Sequence, residues 1–284
     1  MVDRSSSFAN QSFRTRIANG QRRTTNDGSS DTFTPGTSKC YPSRLVRKEL
    51  LIATNISLPP EIDALRRIAS PWHTAAVLAA IGTLAFRGWQ RAALMHAMAD
   101  QHRVGLYLRT IATEWLLVGL VLIGLWLAGS SVLTVFGERW RSFGEFFRDL
   151  GIGVVFLILS IGVLSMLASH RGAVDESTQF LLPHTTLEKV LWVALSISAG
   201  ICEEAVFRGY LQKQFAALTK SIPAGIVLSA SVFGAAHSYQ GLAKALQIGV
   251  LGVLLGLLAY WRRSLRPGMI SHTLQDVLGG FVRH

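Results

Sequence analysis

Charged residues are scarce in this chain. Only 16% of its 284 residues are Asp, Glu, Lys or Arg, whereas ordinary soluble domains carry about 25%. Cysteine is scarcer still, because Cys40 and Cys202 are the only two and form no CxxC pair. The sequence therefore excludes a disulfide framework and a thiolate zinc site. It also contains no HExxH, GxSxG or SxxK segment, which excludes three common arrangements of hydrolytic centres.

Long apolar runs are what the chain has instead. Half of the residues are hydrophobic, and Trp115 to Gly137 and Gly151 to Ser169 contain no charge at all. These runs reach the ~18–20 residues that an α-helix needs to cross a bilayer. They predict an all-α, polytopic membrane bundle of about six to eight transmembrane helices. We expect a multi-pass protein of the cell membrane whose first partner is the lipid bilayer.

The net charge of +11 and the pI of about 10.4 have two interpretations. On a soluble chain, such charge would suggest nucleic acid. Here Arg and Lys are expected at helix ends and in loops beside the membrane. No nucleic-acid recognition motif accompanies the charge, so nucleic acid is not expected as a partner.

Three regions are predicted along the chain. Residues 1–42 are rich in Ser, Thr, Asn, Gly and Arg and are expected to be a disordered basic arm. Residues 43–109 form a juxtamembrane region with a first apolar helix that starts at Pro71, followed by a loop or an extension of that helix. Residues 110–284 form the transmembrane bundle. Spans are expected at about 110–130, 146–169, 187–212, 222–239 and 243–262, with a last helix at 269–282.

The most informative segment places two carboxylates and a guanidinium inside an apolar stretch. Glu203, Glu204 and Arg208 directly follow the uncharged run Val190 to Cys202. A charge at the bilayer centre costs about 2.5–3.5 kcal/mol on insertion scales, so such residues usually face a protein interior and mark a functional site. Glu204 and Arg208 share a helix face and are predicted to pair. Glu203 points about 100° away and is predicted to be available for chemistry.

Two further polar pairs with helical spacing follow. Phe233 and His237 are four residues apart, as are His272 and Asp276, so each pair shares one helix face. Taken alone, each pair could serve helix packing only. Because polar groups are costly in apolar helices, we predict that these pairs and the Glu203 segment form one site.

Hydrolysis is the chemistry that suits such a site. Glu203 would take a proton from a water molecule that His237 holds. His272 would donate a hydrogen bond to the developing oxyanion, and Asp276 would orient His272 or, if protonated, donate beside it. A zinc version is also physical, with Glu203, His237 and His272 as ligands and an open fourth position for water. The cofactor is therefore predicted to be either none or zinc.

The three motifs resemble those of a known family. Glu203-Glu204-xxx-Arg208, Phe233-xxx-His237 and His272-xxx-Asp276 are similar to the signature motifs of the CPBP family. That family contains the type II CAAX prenyl endopeptidases and the bacteriocin-processing and immunity proteins. The resemblance covers about residues 185–284. It implies a CAAX-type intramembrane endopeptidase that cleaves a membrane-associated protein or peptide, with Glu203 and His237 activating water and His272 with Asp276 on the oxyanion side. The family is often called a metalloprotease, and a metal-free glutamate mechanism is also proposed for it; we favour the latter.

Two alternatives and one departure accompany this prediction. The chain could be a non-proteolytic immunity or partner-binding protein of the same family. A proton-coupled transporter is a weaker alternative, because no internal repeat is visible. The prenyl proteases have Asn where this chain has Asp276, and an ionised Asp cannot donate a hydrogen bond. The oxyanion role of Asp276 and the preference for prenylated peptides are therefore open.

Overall fold

The computed structural model describes residues 65–137, 139–169 and 181–281, without the side chains of residues 93–102 and 168–169. The predicted arm, residues 1–42, and the start of the juxtamembrane region lie outside these ranges. Throughout the described ranges the regular structure is helical, with no strand. The prediction of an all-α fold is confirmed.

Eight α-helices, one π-helical segment and one 3₁₀ turn make up this part of the chain. In chain order they are α1 Pro71–Leu127, α2 Leu133–Phe136, α3 Phe143–Ser169, α4 Thr186–Glu203, the π-helix Glu204–Leu211, α5 Gln212–Thr219, α6 Ile222–Ala236, the 3₁₀ turn Ser238–Gln240, α7 Leu242–Arg262 and α8 Arg266–Phe281.

Several helices begin at strong capping residues. Ser70 caps α1 by accepting a hydrogen bond from the backbone N–H of His73, and Pro71 occupies the first turn, where its missing N–H costs nothing. Thr185 and Glu188 form a reciprocal capping box at the start of α4, which satisfies two backbone donors that the helix cannot pair itself. The start of α1 agrees with the prediction from Pro71.

Four helical segments are long and apolar enough to cross a bilayer: Arg103–Leu127, Phe143–Leu167, Thr186–Thr219 and Leu242–Arg262. The apolar helix Ile222–Ala236 is shorter. Large apolar side chains lie exposed along these segments, as in α3, where Ile158, Leu159 and Met166 face outward. A bilayer solvates such side chains, so the polytopic helix bundle expected from the sequence is confirmed.

Helix α1 turns back on itself. The His73 ring lies 2.9 Å from the carbonyl oxygen of Leu120, and a Cβ on Gly124 would overlap that ring. In a straight helix, residues 73 and 120 would be about 70 Å apart at 1.5 Å per residue. The start of α1 therefore packs against the span Arg103–Leu127. Of the two alternatives predicted for residues 87–109, the extension of the helix is the one observed.

The core lies between the two ends of α1 and the π-helical region. Val77 and Val121 from α1 are fully buried beside Tyr210, Phe207 and the α6 residue Phe233. This packing places the π-helical segment, which begins at Glu204, against α1 and α6.

Helices α4 and α8 cross closely at Gly200. A Cβ placed there would overlap the Thr273 hydroxyl oxygen and lie 2.9 Å from the Met269 carbonyl oxygen of α8. We expect Gly200→Ala to push α8 outward and to lower the melting temperature by the equivalent of about 1–3 kcal/mol, the usual cost of overpacking.

Thermal unfolding of the purified protein in detergent would measure this effect. Gly82→Ala is the matched control, because a Cβ at Gly82 meets no atom within 4 Å and alanine favours a helix over glycine. Equal melting temperatures for the two variants would contradict the close crossing of α4 and α8.

Candidate active site

The three polar motifs of the sequence come together in space. Glu203 ends α4, and Glu204 begins the π-helix. His237 is the C-cap residue that follows α6, and His272 lies in the second turn of α8. Glu203 approaches His237 at 3.8 Å and His272 at 3.5 Å, measured between carboxylate oxygen and ring Nε2. The convergence predicted from the spacing of these residues is therefore observed.

Glu204 and Arg208 form a buried ion pair. Arg208 Nη1 lies 2.8 Å from Glu204 Oε1, and both side chains are almost completely excluded from solvent. The guanidinium also lies over the Phe233 ring, with its carbon 4.2 Å from the ring centroid, a cation–π geometry. The positive charge of Arg208 compensates Glu204, as the sequence predicts, and ties the π-helix to α6.

Glu203 lies between two imidazoles. One carboxylate oxygen faces His237 and the other faces His272. Its side chain retains 19% exposure, whereas Glu204 retains none. Glu203 is therefore the carboxylate of the pair that a small molecule can reach.

The orientation of His237 defines which ring nitrogen carries its proton. His237 Nδ1 lies 2.9 Å from the backbone carbonyl oxygen of Phe233, one turn earlier in the same helix. A carbonyl oxygen can only accept, so Nδ1 is the donor. In the neutral ring, Nε2 then presents its lone pair towards Glu203. Phe233 packs edge-on against this imidazole, with ring centroids 4.9 Å apart.

His272 is surrounded by carboxylates. Its Nδ1 lies 3.2 Å from Glu204 Oε1, while its Nε2 lies 3.5 Å from Glu203 and 3.7 Å from Asp276. Three neighbouring carboxylates favour the protonated imidazolium, in which both ring nitrogens donate. The α8 helix begins at Arg266, three residues before the predicted start, so His272 lies deeper in its helix than expected.

Asp276 forms the open side of the cluster. Its side chain is 36% exposed, more than any other ionisable group of the three motifs. Its backbone carbonyl accepts a hydrogen bond from the indole N–H of Trp192 on α4, at 2.9 Å. This bond anchors α8 to α4 and holds the Asp276 carboxylate beside His272.

The proposed zinc ligands were tested against this geometry. Among the residues that the structure describes, no three His, Cys, Asp or Glu side chains are placed to hold a metal ion together. The zinc site predicted from Glu203, His237 and His272 is therefore not found in this part of the chain.

Glu114 is a fourth carboxylate that the sequence analysis missed. It lies in α1, is largely buried, and accepts a hydrogen bond of 2.6 Å from the Ser198 hydroxyl of α4. It is close enough to interact electrostatically with Glu203, Asp276 and His272. The sequence does contain a sign of this role, because Glu114 is a carboxylate inside a predicted transmembrane span. Such a residue is costly unless it faces a polar interior.

Comparison with known proteins supports the resemblance of the motifs. Residues 185–278 match the family model described as type II CAAX prenyl endopeptidase, Rce1-like. This match covers about a third of the chain and includes all three motifs. No curated protein and no solved structure matches the chain.

The apolar helices indicate a membrane protein, and residues 185–278 are similar to the type II CAAX prenyl endopeptidases. The resemblance predicted from the three motifs is thus confirmed, and that family is a family of proteases.

Proposed function

We propose that this chain is an intramembrane endopeptidase that uses Glu203 as the general base. Its substrate is a membrane-associated protein or peptide, and the chain crosses the cell membrane several times. The observation that carries the proposal is the position of Glu203, reachable and between two imidazoles, beside a second glutamate that is buried and neutralised by Arg208.

Water activation involves Glu203 and His237. The Nε2 lone pair of His237 and an oxygen of Glu203 are two acceptors 3.8 Å apart, so one water molecule can donate a hydrogen bond to each. As the water oxygen attacks the peptide carbonyl carbon, its proton passes to Glu203. Positioned general bases of this kind contribute about 10²–10⁴-fold to a rate.

Charge develops next on the former carbonyl oxygen. A protonated His272 donates from Nδ1 to Glu204 and can offer its Nε2–H to that oxyanion, as a preorganised electrostatic stabiliser. Glu203, now protonated, returns the proton to the leaving amine when the C–N bond breaks. The products are an amine and a carboxylic acid, which ionises by releasing the second proton of the water to solvent, and Glu203 is again ionised.

Asp276 serves His272 in this proposal. Its carboxylate lies 3.7 Å from His272 Nε2 and stabilises the imidazolium by charge. An ionised Asp cannot donate to an oxyanion, so His272 takes that role alone. The substrate class that the matched family name suggests is a peptide that ends in a CAAX sequence with a prenylated cysteine, and we include it in the test.

The test is cleavage of membrane-anchored reporter peptides, prenylated and unprenylated, by the purified full chain in liposomes. We expect cleavage by wild type and a loss of at least about 100-fold in His237→Ala. His184→Ala is the matched control, because His184 is exposed and precedes α4, and it should retain the wild-type rate. Cleavage that survives His237→Ala unchanged would contradict the proposal.

Metal content and chelator treatment on the same samples separate the two mechanisms. Under the proposed mechanism, the rate is unaffected by prolonged chelation and does not follow zinc content. A rate that falls on chelation and returns with zinc would overturn the metal-free mechanism while leaving the endopeptidase activity in place.

A further inference from the structure

An apolar groove runs along the outside of the bundle between α3 and α7, away from the three motifs. Its volume is about 630 Å³, within the ~300–1,000 Å³ of typical small-molecule sites. Its wall is almost entirely hydrocarbon and is formed by Phe147, Gly151, Val155, Leu159, Leu254 and Trp261.

The groove has the length of one bilayer leaflet. On α3 it extends from Phe147 to Leu159, about 18 Å at 1.5 Å per residue. This is slightly more than half of the ~30 Å hydrocarbon core. Both flanking helices are long and apolar enough to cross a membrane. The groove therefore begins at one interface and ends near the midplane, as a single acyl chain does.

The interfacial end of the groove is cationic. Asp149 is fully buried and lies 3.7 Å from Arg262 and 3.0 Å from Arg266. Arg148, at the mouth of the groove, keeps 53% of its side chain exposed. Glu145 is a second carboxylate at this end, 4.0 Å from Arg266. The cluster of Arg148, Arg262, Arg266, Glu145 and Asp149 therefore carries a net charge of one positive unit, the difference between three arginines and two carboxylates.

Two further features at this end suit a lipid headgroup. The guanidinium carbon of Arg262 lies 5.3 Å from the centroid of the Trp261 ring, which places this cation beside the groove. Trp261 lines the groove and is 68% exposed, a position typical of the aromatic residues that lie at headgroup level.

We propose that this groove binds one anionic phospholipid, with an acyl chain along α3 and α7 and the phosphate on Arg148 and Arg262. Charge complementarity selects this occupant over a zwitterionic lipid, because basic residues near the surface attract anionic headgroups. The site is separate from the proteolytic function, so its test does not depend on any cleavage.

The experiment is native mass spectrometry of the full chain, extracted from vesicles of equal phosphatidylglycerol and phosphatidylcholine. Wild type should retain one phosphatidylglycerol at least about 10-fold more often than phosphatidylcholine, as expected from two arginines near one headgroup. Arg148→Glu should remove this preference. Arg67→Glu, an exposed arginine outside the groove, should keep it and so controls for net charge.

A second pair of variants tests the groove itself. Gly151→Phe fills the groove, and Gly162→Phe is its control on the same helix, because a Cβ at either glycine meets no atom within 4 Å. We expect at least a 10-fold loss of bound lipid in Gly151→Phe alone. Equal retention by both variants, or equal retention of the two lipids by wild type, would overturn the proposal. A further outcome would also overturn the proposal. If the wild type is a dimer and Gly151→Phe alone dissociates it, the groove binds a second copy of the chain and not a lipid.

Discussion

Replacement of Glu203 by Gln is expected to lower the cleavage rate by at least about 100-fold, the usual contribution of a general base, without unfolding the protein. Gln is nearly the same size and keeps an acceptor oxygen near His272, but it cannot take a proton from water. The measurement is the initial rate of reporter cleavage in liposomes, with the melting temperature taken on the same samples.

The matched control for this prediction is Glu145→Gln. Glu145 is also partly buried but lies in the first turn of α3, near Arg266 and not near His237. We expect it to cleave at close to the wild-type rate. If Glu203→Gln keeps more than about a tenth of the wild-type rate, Glu203 is not the base, since even weak general bases contribute about 100-fold.

Replacement of Arg208 by Met is expected to be the most destabilising single change at the site. It would leave Glu204 charged and fully buried without its guanidinium partner, beside a His272 that also faces Glu203 and Asp276. Removing one partner of a buried ion pair typically costs 3–5 kcal/mol. It would also remove the cation over the Phe233 ring. The measurement is the melting temperature in detergent, together with the yield of folded protein.

The double variant Glu204→Gln with Arg208→Met distinguishes two causes of destabilisation, which are the loss of the ion pair and the loss of the packing of the Arg208 side chain. Replacing both members of a buried pair is often close to neutral, and Gln keeps an acceptor for His272 Nδ1. We therefore expect the double variant to be more stable than Arg208→Met alone. A double variant that is less stable would show that Arg208 acts through packing rather than through charge.

The sequence predicted the site because its polar residues are few and regularly spaced. In apolar helices each polar group is costly, and the spacing of four residues puts Glu204 with Arg208, Phe233 with His237, and His272 with Asp276 on common faces. From these facts alone the convergence of three helices and the different environments of Glu203 and Glu204 could be predicted. Both are observed.

Other features depend on contacts between distant parts of the chain, which local spacing does not reveal. The hydrogen bond of His272 Nδ1 to Glu204 joins residues 68 positions apart. The return of α1 on itself depends on the fit of the His73 ring against Gly124. Glu114 had a visible signal, but its place beside the site depends on how α1 packs on α4 through Ser198.

The π-helix constrains the length of the chain at the site. From Glu204 to Leu211 the backbone bonds run to the fifth residue rather than the fourth, so these turns hold more residues than α-helical ones. If the same residues wound as α-helical turns, α5 would be rotated relative to α4, because an α-helical residue turns by about 100° and a residue in a wider π-helical turn turns by less. Gln214 would then lose its bonds to the backbone of Ile68 and Ala69. The number of residues between Glu204 and Gln214 is thus as much a requirement of this fold as their identities, and insertions or deletions should be excluded here even where substitutions are tolerated.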